Sequence, residues 1–171
     1  MSAGRLLLLP ILLYAAWLAM MAVHELGHVF HAWASGGVVA AVRVPPVGFS
    51  VTEYAVNPRP HFVAWGGAVW GSVLPLIAWG AAVLARMNVR AWLKFFAGFC
   101  LVANGAYLGV GWVTGAGDAG ELLAYGTPRW VLIAVGLIAT AGGLLLWHTM
   151  GPLVTLVAPE RKRGGPGRPA P

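Results

Sequence analysis

The sequence predicts an all-α polytopic membrane protein: about four transmembrane helices, with a membrane-associated β-hairpin after the first. Three observations carry this. Apolar residues make up 59% of the 171 positions and charged residues only 9%, and the mean hydropathy is +0.77; so few charges cannot cover a water-facing surface. Several apolar runs reach about twenty residues, the length a helix needs to cross a bilayer. Two short β-branched runs flank the turn-forming cluster Pro45-Pro46-Val47-Gly48. The expected organisation is one transmembrane core over residues 1–158 and a basic, Gly/Pro-rich, disordered tail over 159–171.

The first helix is expected from Leu6 or Pro10 to Ala34, stopped by Gly36-Gly37. Arg5 before a Leu-rich run resembles a secretory leader. The apolar stretch is too long for one, however, and carries a polar pentapeptide in its second half, so it reads as a permanent helix. That pentapeptide is His24-Glu25-Leu26-Gly27-His28. Histidines four apart on a helix share one side and can both reach one metal ion, and the glutamate between them lies beside it, able to take a proton from a bound water. Ionisable groups inside an apolar helix are costly, which marks them as functional. His31, seven residues after His24, shares roughly that face and reads as a supporting or interfacial residue rather than a spare ligand.

Val38–Val44 and Phe49–Tyr54 read as the strands of a hairpin lying in or beside the membrane surface, with Ser50, Thr52 and Tyr54 on one face. Asn57-Pro58-Arg59-Pro60-His61 turns the chain back. The second span is expected over 62–85, kinked at Pro75, with Gly67 and Gly71 forming a face for close helix approach beside Gly66. The third runs from Ala91 or Trp92 to Val113, contains Gly105 and Gly109, and carries one strongly polar residue, Asn104. A glycine-rich break follows and holds Asp118, the only aspartate of the chain. Irregular backbone at membrane depth is tolerated where it lines a buried or wet site; the other reading is a solvated loop acid. The fourth span is expected over 129–150, with room to continue past Gly151-Pro152 to Ala158.

Four spans put the end of the first helix, the hairpin and Asp118 on one side of the membrane. Arg5, Arg86, Arg90, Lys94, Arg161, Lys162, Arg163 and Arg168 lie on the side of the termini, against Arg43, Arg59 and Arg129 on the other. The excess of basic residues predicts cytoplasmic termini, in a bacterial inner membrane. Because the net charge of +6 falls in short loops and the tail, it does not indicate nucleic acid. The single cysteine, Cys100, excludes an intramolecular disulfide and a cysteine-based zinc cage.

Together these residues resemble the site-2-protease type of intramembrane zinc metalloprotease, over roughly residues 6–123. The likeness rests on His24-Glu25-Leu26-Gly27-His28 in the first core helix, the hairpin after it, and an aspartate after a later helix carrying Asn104. It implies Zn2+ held by His24, His28 and Asp118, with Glu25 as catalytic base. It also implies Asn104 as a substrate-contacting residue, and a hairpin, including Val51 and Thr52, that pairs with an extended substrate. The implied partner is a transmembrane or membrane-anchored protein substrate, besides the lipid bilayer. The family commonly carries Asn-x-x-Pro-x-Pro-x-x-Asp-Gly around its third ligand; here Asn104 precedes Asp118 by fourteen residues with no proline between, and Ala119 follows. Two other classes stay open: a non-catalytic membrane binding protein of the same fold, and a haem- or metal-binding membrane protein using His24, His28, His31 or His148.

Overall fold

The computed structural model of the chain describes residues 3–150. The tail over 159–171 and the continuation of the last span to Ala158 lie outside them. Four of the helices are long and apolar enough to cross a membrane: Leu8–Ala34 within α1 (Ala3–Ala34), α2 (Pro60–Leu84), α3 (Arg90–Gly111) and α5 (Arg129–His148). Between them lie β1 (Val38–Arg43), β2 (Val51–Val56) and a short α4 (Gly117–Ala124).

α1 ends at the glycine pair, as expected. Gly36 takes φ +77°, and the amides of Gly37 and Gly36 donate to Ala32 O (2.7 Å) and Trp33 O (3.1 Å), closing the last turn. β1 and β2 then form an antiparallel pair, Val38 opposite Val56 at the base and Arg43 opposite Val51 near the tip. The second strand starts at Val51, two residues later than expected, because Phe49 and Ser50 belong to the turn region that leaves Pro45-Pro46. The hairpin does not extend away from the end of α1. It folds back along that helix: Tyr14 Oη donates to Pro46 O (2.9 Å), and the Trp17 and Phe49 rings meet at 6.3 Å. Tyr14 precedes His24 by ten residues, about 15 Å along a helix axis, so the two strands flank the polar pentapeptide.

Glycines set the helix spacing. A Cβ at Gly27 would run into the carbonyl of Gly66, so α1 and α2 touch backbone to backbone at that crossing. Gly105 and Gly109 of α3 face Gly136 of α5 in the same way, and Gly98 faces Gly143. α2 begins with Pro60 in its first turn, where the missing N–H costs nothing, and continues through Pro75 to Leu84.

The glycine-rich break corrects the sequence reading. Only residues 112–116 turn; Gly117–Ala124 is a helix with Asp118 in its first turn. Eight residues do not hold a helix by local propensity. Here Ala119 and Leu122 are fully buried against Ala64, Ala68, Leu108 and Leu132, so the core shared by α2, α3 and α5 holds the segment. Gly115 and Gly117, both at positive φ, supply the tight approach.

Candidate metal centre

His24 and His28 lie one turn apart on α1, buried at 7% and 5% exposure, and their Nε2 atoms converge to 3.2 Å. Asp118 enters from α4, its Oδ2 2.9 Å from His24 Nε2 and 3.3 Å from His28 Nε2. The spacing between ligand sites on one helix was evident from the sequence; that Asp118 reaches them is a result of the α3–α4 turn.

The outer nitrogens decide what these atoms can do. His24 Nδ1 lies 2.6 Å from Asn104 Oδ1, and His28 Nδ1 lies 2.9 Å from Val63 O. Asn104 Nδ2 donates to Cys100 O (2.9 Å), which sets its amide orientation and makes Oδ1 the atom facing His24. A carbonyl oxygen only accepts, so both Nδ1 atoms carry hydrogen, and in the neutral rings both Nε2 lone pairs point inward. Asp118 Oδ2 is then a buried oxygen with no hydrogen-bond donor. Three lone-pair-bearing atoms facing one another repel unless a cation lies among them. Zinc bonds of about 2.0–2.2 Å at tetrahedral angles would separate ligand atoms by about 3.3 Å, and the observed 2.9, 3.2 and 3.3 Å fit that edge within a few tenths of an ångström. Two imidazoles and a carboxylate leave a fourth position open, the pattern of catalytic rather than structural zinc sites.

Gly67 makes room for the convergence. A Cβ there would collide with Nε2 of both histidines, so α2 can lie over the pair only with glycine at this position. Gly71, one turn on, leaves space for the Asn104 amide, which a Cβ would crowd at 2.9–3.2 Å. The stripe read in the sequence as a packing face therefore also shapes the site.

Glu25 is 2% exposed, and its Oε2 accepts from Thr52 Oγ1 at 2.5 Å. β2 delivers this contact: Thr52 and Tyr54 turn inward while Glu53 turns out to pair with Arg43 at 2.9 Å, the alternation read in the sequence. Val51 and Thr52 line a cavity of about 400 Å³ together with Glu25, Asp118 and Tyr107, and Asn104 also reaches its wall. The far wall is apolar, from Trp17, Met20, Met21 and Phe49.

Glu121, one turn further along α4, is raised by burial and by the Asp118 charge. Tyr54 is pushed above its ordinary range by burial and the nearby Glu25, so its hydroxyl keeps its proton.

Other sequence candidates sit elsewhere. His31 Nδ1 donates to Phe62 O (2.7 Å), and its ring stacks flat on Phe62 at 4.0 Å. It anchors α1 to the start of α2. His61 pairs with Thr127 (2.8 Å). Sequence reasoning missed Tyr107, whose ring stands edge-on to His24 (6.1 Å) and whose hydroxyl accepts the Asp118 amide at 3.3 Å. No motif marks this tyrosine; only its place one turn after Asn104, on the same face of α3, could have pointed to it. Among the described residues, His24, His28 and Asp118 form the one group of this kind able to hold a metal ion. No protein-family model, no curated protein and no solved structure matches this chain.

Proposed function

We propose that the chain is an intramembrane zinc metalloprotease, of the kind its sequence resembles, which hydrolyses peptide bonds of membrane-protein substrates. The observation that carries this reading is the convergence of His24 Nε2, His28 Nε2 and Asp118 Oδ2 beside the Glu25 carboxylate in one cavity. His24, His28 and Asp118 would hold the metal. When bound there, zinc supplies acidification of a water and polarisation of a carbonyl. Asn104 and the Val63 carbonyl keep both imidazoles in the tautomer that binds. Thr52 occupies one oxygen of Glu25 and leaves Oε1 to act as base. Glu25 takes a proton as the water oxygen bonds to the scissile carbon, then gives it to the amide nitrogen as the C–N bond breaks.

An extended substrate segment suits the cavity, since a helix keeps its carbonyls in internal bonds and must unwind to expose one. Pairing with the β2 edge would hold such a segment straight, with Val51 and Thr52 in contact. The four long helices would span the bilayer, with both termini on the cytoplasmic side of a bacterial inner membrane by the excess of basic residues. A haem held between His24 and His28 is disfavoured, since their Nε2 atoms lie 3.2 Å apart and leave no space for a porphyrin between them.

Zinc content per chain in mild detergent tests the proposal. About one zinc is expected, lost in His24→Ala, His28→Ala and Asp118→Ala and kept in Glu25→Gln, which should bind substrate without cleaving it. An unmodified chain that takes up no zinc after resupply would refute the reading.

A further inference from the structure

Resting on the protease reading, we infer that Tyr107 is a catalytic residue: its hydroxyl donates to the scissile carbonyl oxygen as that oxygen becomes an anion. Acyl transfer gains most from a preorganised donor aimed at this developing charge. The resemblance points to Asn104 for contact with substrate, but Asn104 is committed elsewhere. Its Oδ1 holds His24 Nδ1, its Nδ2 donates to Cys100 O, and the amide is packed over Gly71 at 3% exposure. The Thr52 hydroxyl is given to Glu25, and both imidazole N–H groups are given to Asn104 and Val63. Among the described cavity-lining residues, Tyr107, Tyr54 and Ser50 retain an uncommitted O–H.

Of these three, only Tyr107 touches the ligand set. Its ring stands against His24, and its oxygen accepts the backbone N–H of Asp118. An oxygen that already accepts there directs its own hydrogen elsewhere, and none of the described residues takes it. The ring is wedged by the stacked Phe49 (6.0 Å) and by Gly117, where a Cβ would overlap the hydroxyl. The donor is thus fixed in place before substrate arrives. In the step itself, the water oxygen bonds to the carbonyl carbon and the C=O π pair moves to oxygen, where the Tyr107 O–H donates without giving up its proton. When the pair returns, the C–N bond breaks and Glu25 protonates the nitrogen.

The test uses the full chain with zinc in detergent, fluorescein-labelled casein as an unfolded substrate, and a phosphinic peptide as a mimic of the tetrahedral state. Tyr107→Phe should keep one zinc, lose about 10²- to 10³-fold in kcat with KM within about threefold, and bind the phosphinic peptide weaker by a similar factor. Tyr125→Phe, a change at an exposed tyrosine outside the cavity, should do neither. Tyr107→Phe within about threefold of the unmodified chain in both assays overturns the inference, as does a loss that follows Tyr54→Phe instead. A Tyr107→Phe chain that takes up no zinc also overturns the inference, because the residue would then be needed to build the metal site rather than to donate to the oxyanion. Casein cleavage absent in the unmodified chain and in Glu25→Gln alike would defeat the protease reading, and this inference with it. Cleavage abolished by Glu25→Gln but untouched by Tyr107→Phe would defeat the inference alone.

Discussion

Replacing Asn104 with alanine should weaken zinc binding about 10- to 100-fold without removing any ligand. The variant deletes the oxygen 2.6 Å from His24 Nδ1 and leaves a buried N–H with no acceptor. In the empty variant the His24 hydrogen can move to Nε2, facing Asp118 Oδ2; metal binding forces it back to Nδ1, and an unsatisfied buried donor there costs about 1–3 kcal/mol, a factor of roughly 5–150 in a binding constant. Groups that hold the outer nitrogen of a metal-bound histidine are worth about 10- to 100-fold in affinity, so the two magnitudes agree. Truncation also opens space beneath Gly71 and destabilises the fold, but that cost falls on the empty and loaded chains alike and drops out of the affinity. Competition with a chromophoric chelator in detergent measures it directly. The expected result is a lower affinity at unchanged stoichiometry, with Asn104→Asp recovering most of it because the carboxylate still accepts from Nδ1. Equal affinities for Asn104→Ala and the unmodified chain would refute the claim that Asn104 orients His24, and would return it to the role of substrate contact.

Gly67→Ala should abolish zinc uptake and lower the melting temperature, since its Cβ enters the space of both Nε2 atoms and such overpacking costs about 1–3 kcal/mol, more than the about 0.5–1 kcal/mol that alanine gains in a helix interior. Metal analysis beside a thermal melt separates the two effects. Thr52→Val should lower casein turnover about 10- to 150-fold, the equivalent of one buried hydrogen bond to a charged group of about 1.5–3 kcal/mol, at constant zinc content, with Thr52→Ser restoring it. Tyr14→Phe should release the hairpin tip, raising hydrogen exchange of the amides over 44–50 about fivefold for the one bond lost, while amides of α2 keep their rates.

Much of the architecture was legible in the sequence because its causes are local. Apolar length marks the four long helices, the Gly36-Gly37 pair ends α1, and the inward turn of Thr52 and Tyr54 follows from the period of two in a strand. The histidine pair and Glu25 were legible for the same reason, since helical spacing alone puts them on neighbouring positions of one helix. The rest depends on contacts between segments far apart in the chain. α4 escaped notice because eight glycine-rich residues carry little helical signal, and it exists through the burial of Ala119 and Leu122 under α2, α3 and α5. The fold-back of the hairpin depends on Tyr14 reaching Pro46 across thirty-two positions. Tyr107, Gly67 and the orienting role of Asn104 were hidden because each acts on a partner supplied by another helix. Residue types and their spacing were enough to say which side chains could bind a metal. That three lone pairs meet at one point, with their outer nitrogens held so that no hydrogen stands between them, required the packing of α1 against α2, α3 and α4.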